Sequence, residues 1–415
     1  MVRVTDMTHG RPIRLILLFS LPLMLGSVFQ QLYTIVDTII IGRGVGMQAL
    51  ASIGAADWIN WLVLWGLQGF TQGFAILAAQ EFGAGAYDRL RRVLAMIVKL
   101  SCWFGIAVTI ISLLLVRPLL TLLHTDPAVF GGAQTYLYVQ FGGSLIIIAY
   151  NMAAAVLRCL GDSRTPLFAI IAASFANIAL DLLFVMGFGW GIFGASFATV
   201  LAQLIAFLLC LRSLWRLPFV QLTKADWKTD PAILLHLCRL GIPTGLQMSM
   251  ITLGGMVLQS VLNGFGVVFV AGYTAANKLY GILESASVAF GYAMTAYMGQ
   301  NRGARNAARI DAGIRAVLVL SAEFTAAIVT AMLVAGKPLL GLFLSTEEAG
   351  AAEALAVAYQ YLMVLMAFLF ALFMLQAYRS SLQGLGEMTV PTLSGFAEML
   401  MRMGAALVLP TFIGQ

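Results

Sequence analysis

Charged residues are scarce in this sequence, since only 10% of its 415 residues are Asp, Glu, Lys or Arg while 61% are hydrophobic. Soluble domains carry roughly a quarter of their residues as charged side chains. The mean hydropathy of +0.93 is also far above what a soluble core requires. The composition therefore excludes a water-soluble enzyme, a nucleic-acid-binding protein and a disordered scaffold, and it indicates a membrane protein.

Cysteine and histidine are also rare. The four cysteines show no CxxC or Cys/His spacing and the three histidines are scattered, so the sequence predicts neither a disulfide framework nor a metal site built from them. HExxH and GxSxG motifs are absent, which disfavours an intramembrane enzyme. A passive channel stays open as an alternative to a transporter.

Long apolar runs predict an all-α polytopic membrane protein. A helix needs about 20 mostly apolar residues to cross a bilayer, and the sequence contains eleven such runs. They cover 13–41, 49–79, 93–117, 133–158, 166–188, 191–215, 232–263, 268–298, 312–340, 353–382 and 391–413. The first run is too long for the core of a signal peptide and lacks a small-residue cleavage pattern, so we predict a transmembrane helix there.

The basic residues predict the orientation of these helices. If the N-terminus lies in the cytoplasm, nineteen of the 24 lysines and arginines fall on the cytoplasmic side and three on the outer side. Cytoplasmic loops carry an excess of basic residues, so this asymmetry predicts a cytoplasmic N-terminus. We expect the protein in the cytoplasmic membrane of a bacterium or archaeon.

The chain repeats itself at an offset of about 220 residues, which is typical of transporters built from two related helical bundles. Residues 51–80 align without a gap on 271–300, and Gly83-Ala84 matches Gly303-Ala304. The motif Leu-x-x-Leu-Gly-acidic-x-x-x-Pro occurs at 157–166 and again at 382–391. Six helices separate the two copies, so both copies run in the same direction through the membrane.

The repeat divides the chain into an N-terminal six-helix lobe over 1–216, a cytoplasmic linker over 217–230 and a C-terminal lobe over 231–415. Six helices in each lobe would make twelve, whereas eleven are predicted. We therefore expect the second lobe to lack its last helix, either by truncation or as a natural variant.

Polar residues inside the spans are candidates for function, because a charge at the bilayer centre costs roughly 2.5–3.5 kcal/mol on insertion scales. Asp37, Asn177, Asp181 and Thr199 offer oxygen ligands, which suit a proton or Na⁺ rather than zinc or copper. Asn177 and Asp181 share a helical face, and two carboxylates in one poorly hydrated site resist ionising together. The alternative is that each Asp caps a helix break or forms a hydrogen bond with a neighbouring group. Asp57 is expected close to the outer surface.

The second lobe differs chemically at the corresponding positions. No carboxylate matches Asp37, and the charges within its spans include Lys278, Glu284, Glu398 and Arg402. Glu398 and Arg402 are four residues apart and are predicted to neutralise each other. Lys278 and Glu284 do not face each other, and each is a candidate for substrate contact.

These features together resemble the multidrug and toxic compound extrusion (MATE) family: the repeated Leu-Gly-acidic-Pro motif, the Gly-Ala turns, and Asp37 with Asn177 and Asp181. The resemblance covers nearly the whole chain. It implies two six-helix lobes that form a V around a central cavity. It also implies an antiporter in which H⁺ or Na⁺ enters while a cationic or amphipathic compound leaves by alternating access.

The resemblance also assigns individual residues. Asp37, Asn177, Asp181 and Thr199 match the family's first-lobe cation site, and Pro22 matches the proline at which the first helix bends. The candidates for the cavity lining are Asn151, Gln31, Tyr33, Lys278 and Glu284. Some members use a carboxylate in the seventh helix, where this sequence has Gln247 and Ser249, so the first-lobe site is favoured.

The alternative function is a flippase for lipid-linked oligosaccharides or polysaccharides in the same superfamily. Such carriers are anionic, whereas only Lys278 and Arg402 are basic within the spans. The expected partners are small amphipathic substrates and membrane lipids, with no nucleic acid, and we expect a monomer. No cofactor is expected beyond the coupling ion, H⁺ or Na⁺, and no metal other than that Na⁺.

Overall fold

The computed structural model describes residues 4–343 and 350–413, and within them the chain forms twelve α-helices and no strand. They are α1 (Pro12–Gly44), α2 (Met47–Gly83), α3 (Tyr87–Leu122), α4 (Pro127–Gly142), α5 (Ser144–Cys159), α6 (Arg164–Asp181), α7 (Gly191–Trp215), α8 (Pro231–Leu262), α9 (Val267–Gly303), α10 (Ala307–Gly341), α11 (Ala351–Gly384) and α12 (Thr389–Ile413). A π-helical segment, Leu182–Gly187, extends α6.

The predicted segment 133–158 is two helices rather than one. The helices α4 and α5 meet at Gly143 and are bent by 50° relative to each other. A Cβ at Gly143 would lie 2.5 Å from Cγ2 of Val200 on α7, so a side chain at the bend would overlap Val200. The other ten predicted segments each correspond to one described helix, α6 with its π-helical extension included.

The helices have the length and composition of membrane spans. Among the described residues, eight helices are apolar enough to cross a bilayer by themselves, and the bent pair α4 and α5 makes a ninth span. The remaining two predicted spans are α9 and α12. The helix α9 carries Lys278 and Glu284, and α12 carries Glu398 and Arg402. The chain is an integral membrane protein.

The first helix of each repeat packs into the core of the other repeat. Ile16 and Phe19 of α1 are buried in a cluster formed mainly by α9, α10 and α11. Leu237 and Leu240 of α8 are buried in a cluster formed mainly by α2, α3, α5 and α7. The two pairs occupy equivalent places in the repeat, so the exchange is symmetric and joins the two halves of the molecule through apolar burial.

The closest backbone contacts between the halves lie where α1 begins and where α2 and α9 end. We call this the basic end, because most of the predicted cytoplasmic arginines lie there. A Cβ at Gly83 would lie 1.9 Å from the carbonyl oxygen of Gln300, and a Cβ at Gly303 would lie 1.9 Å from that of Gln80. No side chain fits at either position, so glycine is required for this contact.

Two equivalent hydrogen bonds close the same contact. Gln80 donates from Nε2 to the carbonyl oxygen of Gly384 over 3.1 Å, and Gln300 donates from Nε2 to that of Cys159 over 2.9 Å. Gly384 and Cys159 end α11 and α5, which are equivalent helices of the two repeats. The basic end is therefore a two-fold symmetric interface of backbone on backbone.

This interface predicts the effect of one added methyl group. Gly83→Ala should destabilise the protein by about 1–3 kcal/mol, because the methyl group overlaps the backbone of Gln300. The control is Gly54→Ala on the same helix, where a Cβ meets nothing within 4 Å and the substitution should be neutral or stabilising by up to about 1 kcal/mol. The measurement is unfolding of both variants in detergent. Equal stability of the two variants would contradict the predicted contact.

Candidate functional site

Two aspartates from different helices meet inside the first half of the molecule. Asp37 lies near the end of α1, and Asp181 is the last residue of α6. Their carboxyl groups are within hydrogen-bonding reach of each other. Two ionised carboxylates have no proton to share, so this contact becomes a hydrogen bond only when one of them is protonated.

The polar atoms around this pair lack partners in the described part of the chain. Asp181 is completely buried and Asn177, one turn before it, is 1% exposed. Oδ1 of Asp37, both carboxylate oxygens of Asp181 and both side-chain amide atoms of Asn177 accept or donate no hydrogen bond within that part. Buried polar atoms of this kind are destabilising unless a proton, a cation or water satisfies them.

Apolar packing keeps α1 against the segment that follows α6, next to the two aspartates. Ile40 and Ile41, which follow Asp37 on α1, are buried against Val185 in the π-helical segment that follows Asp181. A Cβ at Gly44 would lie only 2.9 Å from Cγ1 of Val185, so α1 runs close to this segment. π-Helical turns are rare and frequently occur at functional sites.

A third carboxylate lies near the pair. Asp57 of α2 interacts electrostatically with Asp37, and Tyr136 on α4 interacts electrostatically with both carboxylates. Nδ2 of Asn60, one turn after Asp57, donates to the hydroxyl of Tyr136 over 3.3 Å. The sequence analysis assigned Asp57 no role, whereas the fold brings it near enough to Asp37 for the two carboxylates to interact electrostatically.

A cavity of about 30 Å³ lies next to the aspartate pair, between α1, α5, α6 and α7. This volume is enough for a water molecule or two. Its polar lining comes from Gln30, Tyr33, Ser174, Asn177, Thr199 and Gln203. Asn177 therefore belongs to the cavity and also lies one turn from Asp181.

One predicted member of the cation site, Thr199, and one residue that was not predicted, Gln203, meet the cavity from α7. Thr199 lines it, and its hydroxyl donates to the carbonyl oxygen of Ala195 over 3.2 Å, which leaves its lone pairs free to accept. Gln203, one turn later on α7, buries an Oε1 that has no partner among the described residues. The pair Thr199 and Gln203 thus presents oxygen acceptors on one face of α7.

The other predicted residues occupy separate positions. Tyr33 lines the cavity, while the amide of Asn151 donates to the carbonyl oxygen of Ile147 on its own helix over 2.9 Å. Gln31 faces the second half, with Nε2 at 4.0 Å from the place of a Cβ on Gly281. Pro22 lies within α1, which continues as one helix from Pro12 to Gly44.

The charges of the second half are largely paired with one another. Arg402 donates from Nη2 to Oε1 of Glu398 over 2.6 Å, which confirms the pair predicted from their spacing. Arg379 donates to the other oxygen of Glu398 over 3.0 Å, although the sequence counted Arg379 among the cytoplasmic residues. Glu284 is half-buried and interacts electrostatically with this network, while Lys278 is exposed.

The chain before α1 lies across the basic end. We call residues 4–10 the N-terminal strap. The amide of Thr5 donates to the carbonyl oxygen of Gly161 in the first half over 3.1 Å. The amide of Met7 donates to Oε1 of Gln300 in the second half over 2.8 Å, and the Met7 side chain is fully buried. The strap therefore contacts both halves within three residues.

Arg309 of α10 holds the same strap from the second half. Its Nη2 donates to the carbonyl oxygen of Met7 over 3.0 Å, and its Nη1 donates to that of Gly10 over 2.8 Å. Its Nε donates to Oδ1 of Asn301 over 3.0 Å. The guanidinium thus uses three nitrogens in three directions, a geometry that an ammonium group lacks.

A profile of the MatE family matches the chain in two stretches, 22–183 and 243–408. The chain belongs to the MatE family of efflux transporters. The two matched stretches begin at Pro22 and Pro243, which are equivalent positions of the internal repeat. The family assigned from sequence motifs is confirmed.

Individual proteins resemble this MatE protein over most of their length. The probable multidrug resistance protein YpnP of Bacillus subtilis is 33% identical over 84% of this chain and 78% of its own. The probable multidrug resistance protein NorM of Thermotoga maritima is 24% identical over 79% and 72%, respectively. The structure of a MOP superfamily transporter from Pyrococcus furiosus has a TM-score of 0.91 and 24% identity over 99% of this chain and 91% of its own. The V-shaped arrangement of two helical bundles is thereby confirmed.

Three parts of the MatE site escaped the sequence analysis. Asp57 and Asn60 share a helical face, as do Thr199 and Gln203, and these spacings were the available signals. The N-terminal strap left no such signal, because its contacts are made by backbone groups that every residue possesses.

The strap predicts protection of residue 7 from solvent. In a protein with Cys102→Ser and Cys238→Ser, a cysteine introduced by Met7→Cys should react slowly with a maleimide. Adding Arg309→Lys should raise that rate at least roughly tenfold, because a charge-assisted hydrogen bond contributes about 1.5–3 kcal/mol. Arg302→Lys, at an exposed position, is the control. Equal rates in the two variants would show that Arg309 does not hold the strap.

Proposed function

We propose that this protein exports cationic or amphipathic toxic compounds in exchange for H⁺ or Na⁺ that enters. The observation that carries the proposal is the pairing of the half-buried Asp37 with the buried Asp181, in which Oδ1 of Asp37 and both carboxylate oxygens of Asp181 have no donor in the described residues. The names of YpnP and NorM as probable multidrug resistance proteins support the substrate class.

The coupling ion acts by neutralising one charge of the aspartate pair. Two adjacent carboxylates in a poorly hydrated site repel each other when both are ionised. A proton shared between them, or Na⁺ bound to their oxygens and to Oδ1 of Asn177, removes this repulsion and satisfies the unpartnered atoms. Binding of either ion therefore draws α1 and α6 together at this point.

The helix α1 connects this site to the interface between the halves. Near one end it carries Asp37, and near the other it packs Ile16 and Phe19 into the second half. Pro22 lies between them and removes one backbone hydrogen bond from the helix, so α1 can bend there. A change in the position of Asp37 thus alters the contacts at the basic end.

Exchange of the ion for the exported compound then requires that the ion binds one conformation of the protein more tightly than the other. An ion shifts the balance between the two openings of the cavity only by as much as it binds one of them more tightly. A shift from 1:99 to 99:1 requires roughly a 10⁴-fold difference in affinity. Neutralising a buried charge pair provides a difference of this kind, and ion and substrate need not touch.

The first test removes the ionisable groups one at a time. Asp37→Asn and Asp181→Asn should each reduce drug resistance of cells to that of cells without the transporter, while the protein is still made and inserted. Asp88→Asn removes a carboxylate that is exposed at the basic end and is the matched control. Full resistance in the Asp37→Asn variant would refute the role of the pair.

The second test identifies the ion in proteoliposomes with separately imposed H⁺ and Na⁺ gradients. Uphill movement of a fluorescent cationic dye should follow one gradient and disappear in the Asp181→Asn variant. Dye movement that never exceeds equilibrium would indicate a passive channel. Unchanged dye accumulation in cells, with loss of a surface polysaccharide on gene deletion, would favour the flippase function instead.

A further inference from the structure

An open groove of about 660 Å³ lies at the basic end, between the start of α1 and the first turns of α10. It shares no lining residue with the cavity next to the aspartate pair. Its walls include Arg11, Ile13, Asp311, Ala312, Arg315 and Val319. The groove therefore joins one element of each repeat.

Two arginines give the groove a net positive charge. Arg11 and Arg315 are exposed, and neither forms an ion pair with an acidic residue in the parts of the chain that the structure describes. Asp311 lines the same groove, but its carboxylate is more than ion-pairing distance from both guanidinium groups. Two guanidinium groups against one carboxylate favour an anionic ligand with several acceptor oxygens.

The opposite part of the groove is apolar and exposed on the surface of the protein. Ala312 and Val319 lie seven residues apart on α10 and so share a helical face. Ile13 on α1 is 38% exposed and Val319 is 48% exposed. A ligand that matches both parts has an anionic head and a hydrocarbon tail.

The positions of the two arginines along their helices are consistent with a lipid ligand. Arg11 immediately precedes Pro12, the first residue of α1, and Arg315 lies eight residues into α10. At 1.5 Å per residue, Arg315 is roughly 12 Å from the start of its helix. The arginines thus lie where lipid headgroups meet the spans, and basic pockets between helices at that level bind acidic headgroups.

We propose that this groove binds an anionic glycerophospholipid. Its phosphate lies between Arg11 and Arg315, and an acyl chain lies along Ile13 and Val319. The lipid then bridges α1 and α10 beside the contact in which Arg309 donates to the carbonyl oxygen of Gly10. A bound lipid therefore reinforces the N-terminal strap and favours the form in which the basic end is closed.

The test measures lipid binding directly and requires no transport. Purified protein in detergent is titrated with phosphatidylglycerol or with phosphatidylcholine of the same chains, and bound lipid is counted by native mass spectrometry. Arg11→Gln and Arg315→Gln should each weaken phosphatidylglycerol binding about fivefold, and together roughly 25-fold, since each arginine near an anionic lipid surface contributes about 1 kcal/mol. The matched control is the double variant Arg212→Gln, Arg216→Gln, which removes the same charge at two exposed positions, one in the last turn of α7 and one directly after it.

Several results would overturn the proposal. An equal loss in the control variant would show a diffuse attraction of the basic end. Equal affinity for phosphatidylcholine would remove the role of charge. Inorganic phosphate that competes as well as phosphatidylglycerol would remove the role of the tail.

A second variant tests the apolar half without altering charge. Val319→Asn should weaken phosphatidylglycerol binding about threefold, whereas Val334→Asn, at an 80% exposed position of the same helix, should not. Unchanged binding in Val319→Asn would overturn the assigned place of the acyl chain. Unfolding midpoints in lipid-free detergent establish that each variant is folded.

Discussion

The rest of the structure depends on the backbone contact between the two repeats at the basic end. Gly83 and Gly303 let the ends of α2 and α9 touch the carbonyl groups of Gln300 and Gln80, and the same glutamines bind the ends of α5 and α11. Because the contact is two-fold symmetric, neither half can tilt without breaking equivalent bonds on both sides. This contact between the two halves admits no side chain at Gly83 or Gly303.

The two halves share an architecture but not a chemistry. In the second half, the acidic Glu398 has two basic partners within the protein, Arg379 and Arg402. In the first half, Asp37 and Asp181 face each other without a basic partner among the described residues. An internal ion pair stabilises one arrangement, whereas an unpaired acidic site responds to an ion from outside.

The helix α1 connects the ion site, the interface and the surface groove. Its far end carries Asp37, its near half packs into the second repeat, and the strap before it contacts both halves. The groove beside Arg11, in which we propose that a lipid binds, is lined in part by the first residues of the same helix. Bending or displacement of this one helix therefore affects every region to which a function is assigned.

Much of this protein follows from the sequence by itself. Eleven runs of apolar residues determined the membrane helices, because backbone groups in a bilayer must be satisfied within each helix. The repeat determined the pairing of Pro22 with Pro243 and of Gly83 with Gly303, and spacing alone determined the pair Glu398 and Arg402. Local rules of this kind depend only on residues that are close in the chain.

Only the tertiary structure decided which distant groups meet. Asp57 could not be assigned to the site from its sequence position, because its proximity to Asp37 depends on how α2 packs beside α1. The bend at Gly143, which divides 133–158 into two helices, packs closely against Val200, 57 residues later in the chain. The strap and the groove depend on backbone groups and on surfaces from both repeats, and such contacts leave no periodic pattern in a sequence.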